Sequence, residues 1–183
     1  MSLKNIFIAA LMVLVSLNIS AQISRTILGM TLGVSTPEQC AQIMERKGIK
    51  LRGGNTELVY GGEDQIVTFA GTEWHIFQLK FYRGKLCEMV FQLIDRWSND
   101  DEMSVGNTLI STSLYRKYSK YKQNIDKGEL NTLDIYSDGR TQVSLFYQER
   151  SEYKKPHLAL SYEDPKLAEA RSREELKFIE NDL

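Results

Sequence analysis

The sequence predicts an α+β fold: two tandem units, each a helix laid on an antiparallel sheet, followed by a peripheral C-terminal helix. Three observations predict it. Period-two hydrophobicity recurs through the middle of the chain, as in "WHIFQLKFY" and "KLCEMVFQL". Helix starts at Thr36 and Asp101 each precede a run of such strands. The strand starts near Gln65, Glu73 and Lys85 are matched near Asn131, Arg140 and Pro156, so helices and strands repeat at offsets of 65 to 71 residues. The units run from about 27 to 95 and from 98 to 163, the first carrying an extra hairpin, and the helix occupies 164–183. A helix with one apolar stripe must bury it, and one face of an antiparallel sheet is a place to do so.

The chain opens on Lys4, then an apolar run from Ile6 to Leu17 broken only by Ser16, then "NISAQ". This is the charge, core and small-residue order of a signal peptide, 1–21, cleaved after Ala21. The run is about 12 residues, short of the roughly 20 that span a bilayer. A single domain over 22–183, periplasmic or secreted, is expected to remain, with no membrane span.

Leu28, Met30 and Leu32 alternate, so 27–32 reads as a short strand turned by Gly33. Thr36, Pro37 and Gln39 then form an N-cap, a first-turn proline and a capping box, and Lys47-Gly48 ends the helix. Ile49–Arg52 and Glu57–Tyr60 flank "GGN" as a hairpin, "GGED" at 61–64 makes a turn, and "QIVTFA" is a strand. "RG" at 83–84 joins the two long strands quoted above. Ser98, Asn99 and Asp100 are competent caps for a helix from about Asp101 to Lys122. Asp138-Gly139 between alternating strands is the strongest hairpin signal. "HLALSY" is a last strand, and Asp164-Pro165 caps a charged helix whose stripe, Leu167, Leu176, Ile179 and Leu183, is thin.

The stretch "GMTLGVSTPEQCAQIMERKG" resembles the small-residue turn, Ser/Thr cap and short helix of the SmpA/OmlA (BamE-like) and β-lactamase-inhibitor-protein-like folds. "LSYEDPKLAEARSREELKFIENDL" resembles the ends of exported bacterial proteins of similar length. The resemblance implies a scaffold of helix-led, multi-strand units and carries no functional residue across. The chain lacks the cysteine near the cleavage site that lipid-anchored members of that family carry.

Composition narrows function. The net charge is −1 over 183 residues, and Lys4 is the only charge before Gln22. A dedicated nucleic-acid binder needs a strongly positive face, so nucleic acid is not an expected partner. Only His75 and His157 supply imidazole, with no zinc spacing and no GxSxG elbow, so no catalytic residue, metal or cofactor is assigned. "SNDDE" at 98–102 reads as a helix cap. Cys40 lies on the apolar stripe of the first helix and Cys87 alternates with Met89, Phe91 and Leu93. Both therefore point inward, as a disulfide or as two buried thiols; a bridge would add roughly 4 kcal/mol on the chain-entropy account.

Trp74, Tyr82 and Trp97 fall at or near strand ends, and "YRKYSKYK" interleaves aromatics with cations. Trp74, Tyr82, Trp97, Tyr115, Tyr118 and Lys120 are therefore the candidate binding residues. The expected function is that of a non-enzymatic exported protein that binds another protein or a cell-envelope component. The alternatives are an enzyme-inhibitor-like module and a small hydrolase.

Overall fold

The first elements among the described residues are two-residue strands, β1 (Thr26–Ile27) and β2 (Met30–Thr31), paired across Leu28 and Gly29, both at positive φ. The expected single strand over 27–32 is thus a tight hairpin. Leu28 takes the turn while Met30 and Leu32 are fully buried. The computed structural model describes residues 22–54, 57–123, 131–152 and 154–182. The expected signal peptide, 1–21, lies outside them.

Helix α1 (Pro37–Arg46) starts at the expected capping box: Thr36 Oγ1 accepts from Gln39 N, and the Gln39 side chain accepts from Thr36 N. It buries Cys40 and Met44. There follow β3 (Leu51–Gly53), β4 (Glu57–Gly61), β5 (Val67–Phe69), β6 (Thr72–Trp74), β7 (Ile76–Tyr82) and β8 (Lys85–Ile94). Helix α2 (Asp100–Tyr118) is capped by Asn99, with Glu102 completing a second capping box. Beyond it lie a 3-10 turn at Ser119–Tyr121, β9 (Asn131–Ser137), β10 (Gln142–Gln148), β11 (His157–Glu163) and α3 (Pro165–Asp182). Asp164 Oδ1 accepts from the N–H groups of Lys166 and Leu167, so the cap read at Asp164-Pro165 is real.

Seven strands form one antiparallel sheet in the order β3-β4-β7-β8-β11-β10-β9. The first half of the chain supplies β3, β4, β7 and β8, the second supplies β9, β10 and β11, and the halves join where β8 pairs with β11. "QIVTFA" is not in this sheet. Its residues 67–69 pair only with β6 in a separate hairpin. That hairpin leans on the core through Trp74, whose Nε1 donates to Phe69 O at 2.9 Å, and through Phe69, stacked 4.6 Å from Phe91.

Alternating positions of the central strands meet the helices. Phe77, Leu79, Met89, Phe91, Leu158 and Leu160 are fully buried. Helix α2 packs on β10 and β11 through Met103, Ile110 and Leu114. Each such side chain contributes about 1.5–3 kcal/mol when fully buried. Helix α3 packs on β7 and β8, and only its first turns are covered: Leu176, expected on its inner stripe, is exposed.

The expected alternation of Cys87 with Met89 does not hold. Lys80 opposes Glu88 but Phe81 opposes Leu86, which makes Cys87 the extra residue of a β-bulge. The bulge puts Leu86 in the core cluster in its place. The Cys87 thiol instead donates to Lys80 O at 3.2 Å and lies near Arg171 of α3. Cys40 belongs to the core cluster. Of the two expected alternatives the structure has two separate buried thiols and no bridge.

Candidate functional site

The loop after β8 carries Trp97, and its flanks are pinned. Arg150, beyond β10, binds Asp95 and, at 3.0 Å, Asp100. Trp97 N and Ser98 N both bond Ile94 O, closing the turn that presents the indole.

Around that indole three hollows share walls. The largest, about 520 Å³, is lined by Lys50, Arg52, Gly62, Glu63, Arg96 and Trp97 among others. The next, about 440 Å³, shares Glu63, Arg96 and Trp97 and adds His75, Ser98 and Glu102. The third, about 240 Å³, shares those last three and runs on to Thr72, Gly106 and Leu109. Together they make a trough along one end of the sheet, lined by three cations and two carboxylates at the β3 side and apolar where Val105 and Leu109 stand exposed on α2.

The guanidinium carbons of Arg52 and Arg96 each lie 5.2 Å from the Trp97 ring centroid, and the His75 ring lies 6.2 Å away. Arg52 donates to Gly61 O at 3.3 Å. His75 Nδ1 is 3.4 Å from Gly62 O. The glycine doublet, read from sequence as a turn, is therefore a wall. A Cβ on Gly61 would collide with the His75 carbonyl, and one on Gly62 with the Arg52 guanidinium. Both sit at positive φ, 96° and 139°. Deeper in, the hydroxyls of Thr72 and Ser98 are buried without a hydrogen-bond partner.

The structure disperses the residues expected to bind. Trp97 is half-buried in the trough. Trp74 is wholly buried and hydrogen-bonded, hence core and not a contact surface. Tyr118 is likewise core, at 2% exposure. Tyr82 is half-buried beneath α3; a hydrogen bond to Glu174 is the largest influence raising its phenol's pKa, and Arg83 lies 5.1 Å over its ring. Tyr115 is exposed, and Lys120 lies 4.7 Å over the Tyr121 ring. Helix α2 has 19 residues, so Tyr115 and Lys120 stand roughly 25 Å from Trp97. Lys122 fills the space between Tyr115 and Tyr136, at 5.7 and 5.8 Å, and pairs with the buried Asp134 at 3.1 Å. The cations of "YRKYSKYK" thus largely cover its own tyrosines.

Reactive groups are muted. Burial pushes the Cys40 thiol up to about 12, with Glu38 adding to the rise. Burial pushes Cys87 up to about 11 against the opposing pull of Arg171. A thiol so placed is not a nucleophile near neutral pH. His157 packs edge-on against Phe146, and burial lowers its pKa. Among the described residues, no three His, Cys, Asp or Glu side chains converge on a metal position, and no helix is long and apolar enough to cross a membrane.

Comparison with protein-family models, with curated proteins and with solved structures returned no match. The trough's chemistry rests on its own residues, several of which sequence reading missed. Arg52, Glu63, His75, Arg96 and Ser98 come from four separate segments, and no spacing links them. The one available signal was the doublet Gly61-Gly62, more glycine than a single turn requires.

Proposed function

We propose that this is an exported, non-enzymatic binding protein whose trough beside Trp97 docks another protein or a cell-envelope component. One observation carries the reading: two arginines without an ion-pair partner among the described residues are held on a half-buried indole at the wall of an open groove. Arginine and tryptophan are the residue types on which interfaces concentrate their binding energy. We also read the fold as two tandem units of the inhibitor-like kind. Supporting this is the sheet order, in which β4-β7-β8 and β9-β10-β11 are three-stranded meanders that each follow a helix.

A hydrolase is the second reading, and one observation favours it: Ser98, His75 and Glu102 line the same hollow. Against it, Ser98 Oγ has no hydrogen-bond partner, so it does not meet His75, and Glu102 is engaged by the backbone of Asn99.

The test is affinity capture from cell-envelope extract, using the full chain expressed with its own leader and recovered after export. The exported chain is expected to begin near Gln22 and to retain a partner that Trp97→Ala loses and Tyr115→Ala keeps. Equal capture by the Trp97 variant, or an esterase activity abolished by Ser98→Ala, overturns the reading.

A further inference from the structure

We propose that Arg52 and Arg96, held on Trp97, form a site for a carboxylate or phosphate oxyanion carried by the partner. The inference rests on the docking reading above and names the chemical group the trough receives. Both arginines line the largest hollow, so an oxyanion entering it meets two guanidinium groups held at one ring. Glu63 and Asp64 line the same groove yet pair with neither arginine. Lys50 adds a third cation.

The site is built rather than incidental. Cation–π contact holds both guanidinium groups in place, so less rotamer freedom is lost when a ligand arrives. Arg52 is further held by Gly61 O, and the space its guanidinium occupies exists only because residue 62 has no Cβ. Arg96 makes no hydrogen bond within the described residues, so its N–H fork is free to take a planar or tetrahedral oxyanion through two parallel bonds. The pinned loop between Asp95 and Asp100 keeps Arg96 and Trp97 together.

The experiment is a tryptophan-fluorescence titration of the full exported chain with sodium citrate and, separately, sodium phosphate. Chloride at matched ionic strength gives the baseline. Trp74 is sealed in the core, so the response reports Trp97. A saturable change with citrate or phosphate beyond the chloride baseline is expected. Arg96→Gln, which breaks no internal hydrogen bond, should weaken it at least about tenfold, the loss of one charge-assisted contact. Lys85→Ala, at an exposed cation that opens β8, should leave it unchanged. No response beyond chloride, equal affinity in Arg96→Gln, or equal weakening by Lys85→Ala overturns the inference. Partner capture is read separately. A partner held equally by native and Arg96→Gln chains keeps the docking reading and removes the oxyanion site.

Discussion

Arg25 and Asp164, 139 residues apart, meet at 2.6 Å, and the same carboxylate caps α3. Arg25 also donates to Leu32 O and Arg140 O, so one guanidinium ties the N-terminal segment, the β9–β10 turn and the last helix together. Burial alone would raise the Asp164 carboxyl. The Arg25 hydrogen bond and charge, with the N–H groups of Leu167 and Lys166, overcome this and hold its pKa below the ordinary 3.8. Stability from this group is present above that ordinary value and lost as pH falls through the depressed folded one. Asp164→Ala should cost about 2–4 kcal/mol, a cap plus a charge-assisted bond. Urea unfolding from pH 7 down to pH 2 should show an acid loss that Arg25→Ala reduces; identical profiles would refute the linkage.

Neither thiol should react with a disulfide reagent at pH 8 in the folded chain, and both should react in denaturant. Non-reducing digestion should release the Cys40 and Cys87 peptides separately. A linked peptide would contradict the bulge that turns Cys87 toward α3.

The two tryptophans should behave oppositely. Trp74→Ala empties a fully buried site and should cost about 3–5 kcal/mol. Trp97→Ala removes two exposed cation–π contacts and should cost about 1 kcal/mol while abolishing partner capture. Denaturant melts of both variants decide it; comparable stabilities would mean Trp97 is structural.

Gly61→Ala should cost at least about 1–3 kcal/mol from backbone strain alone. Because its Cβ meets the His75 carbonyl, it should also shift the trough wall. Thermal unfolding and Trp97 fluorescence should both change. A variant with native stability would show that the backbone there is freer than its close packing implies.

Local chemistry was legible in the sequence. The capping box at Thr36, a helix cap within Ser98–Asp100, the hairpins at "RG" and at Asp138-Gly139, and the long strands all form where side-chain type and period place them, because each depends on neighbours within a few residues. What depended on distant partners was not. A one-residue bulge reversed the phase at Cys87. Residues 67–69 alternate like a sheet strand but pair in a side hairpin. Trp74, at a strand end, is sealed by Phe69 and Phe91. Of the candidate binding residues, only Trp97 lies in the trough. Its companions Arg52 and Arg96 are unremarkable in sequence, since what distinguishes them is a shared ring that only the fold supplies.

The position of β11 has a consequence for the order of synthesis. Of the seven strands of the sheet, the one made last, β11, fills its middle, between β8 and β10. Until it arrives, the N-terminal half presents β8 with one bare hydrogen-bonding edge, and the β9–β10 hairpin has no neighbour to zip onto. The seam between the halves closes only once β11 has been made, and Asp164, the next residue, then latches it to Arg25.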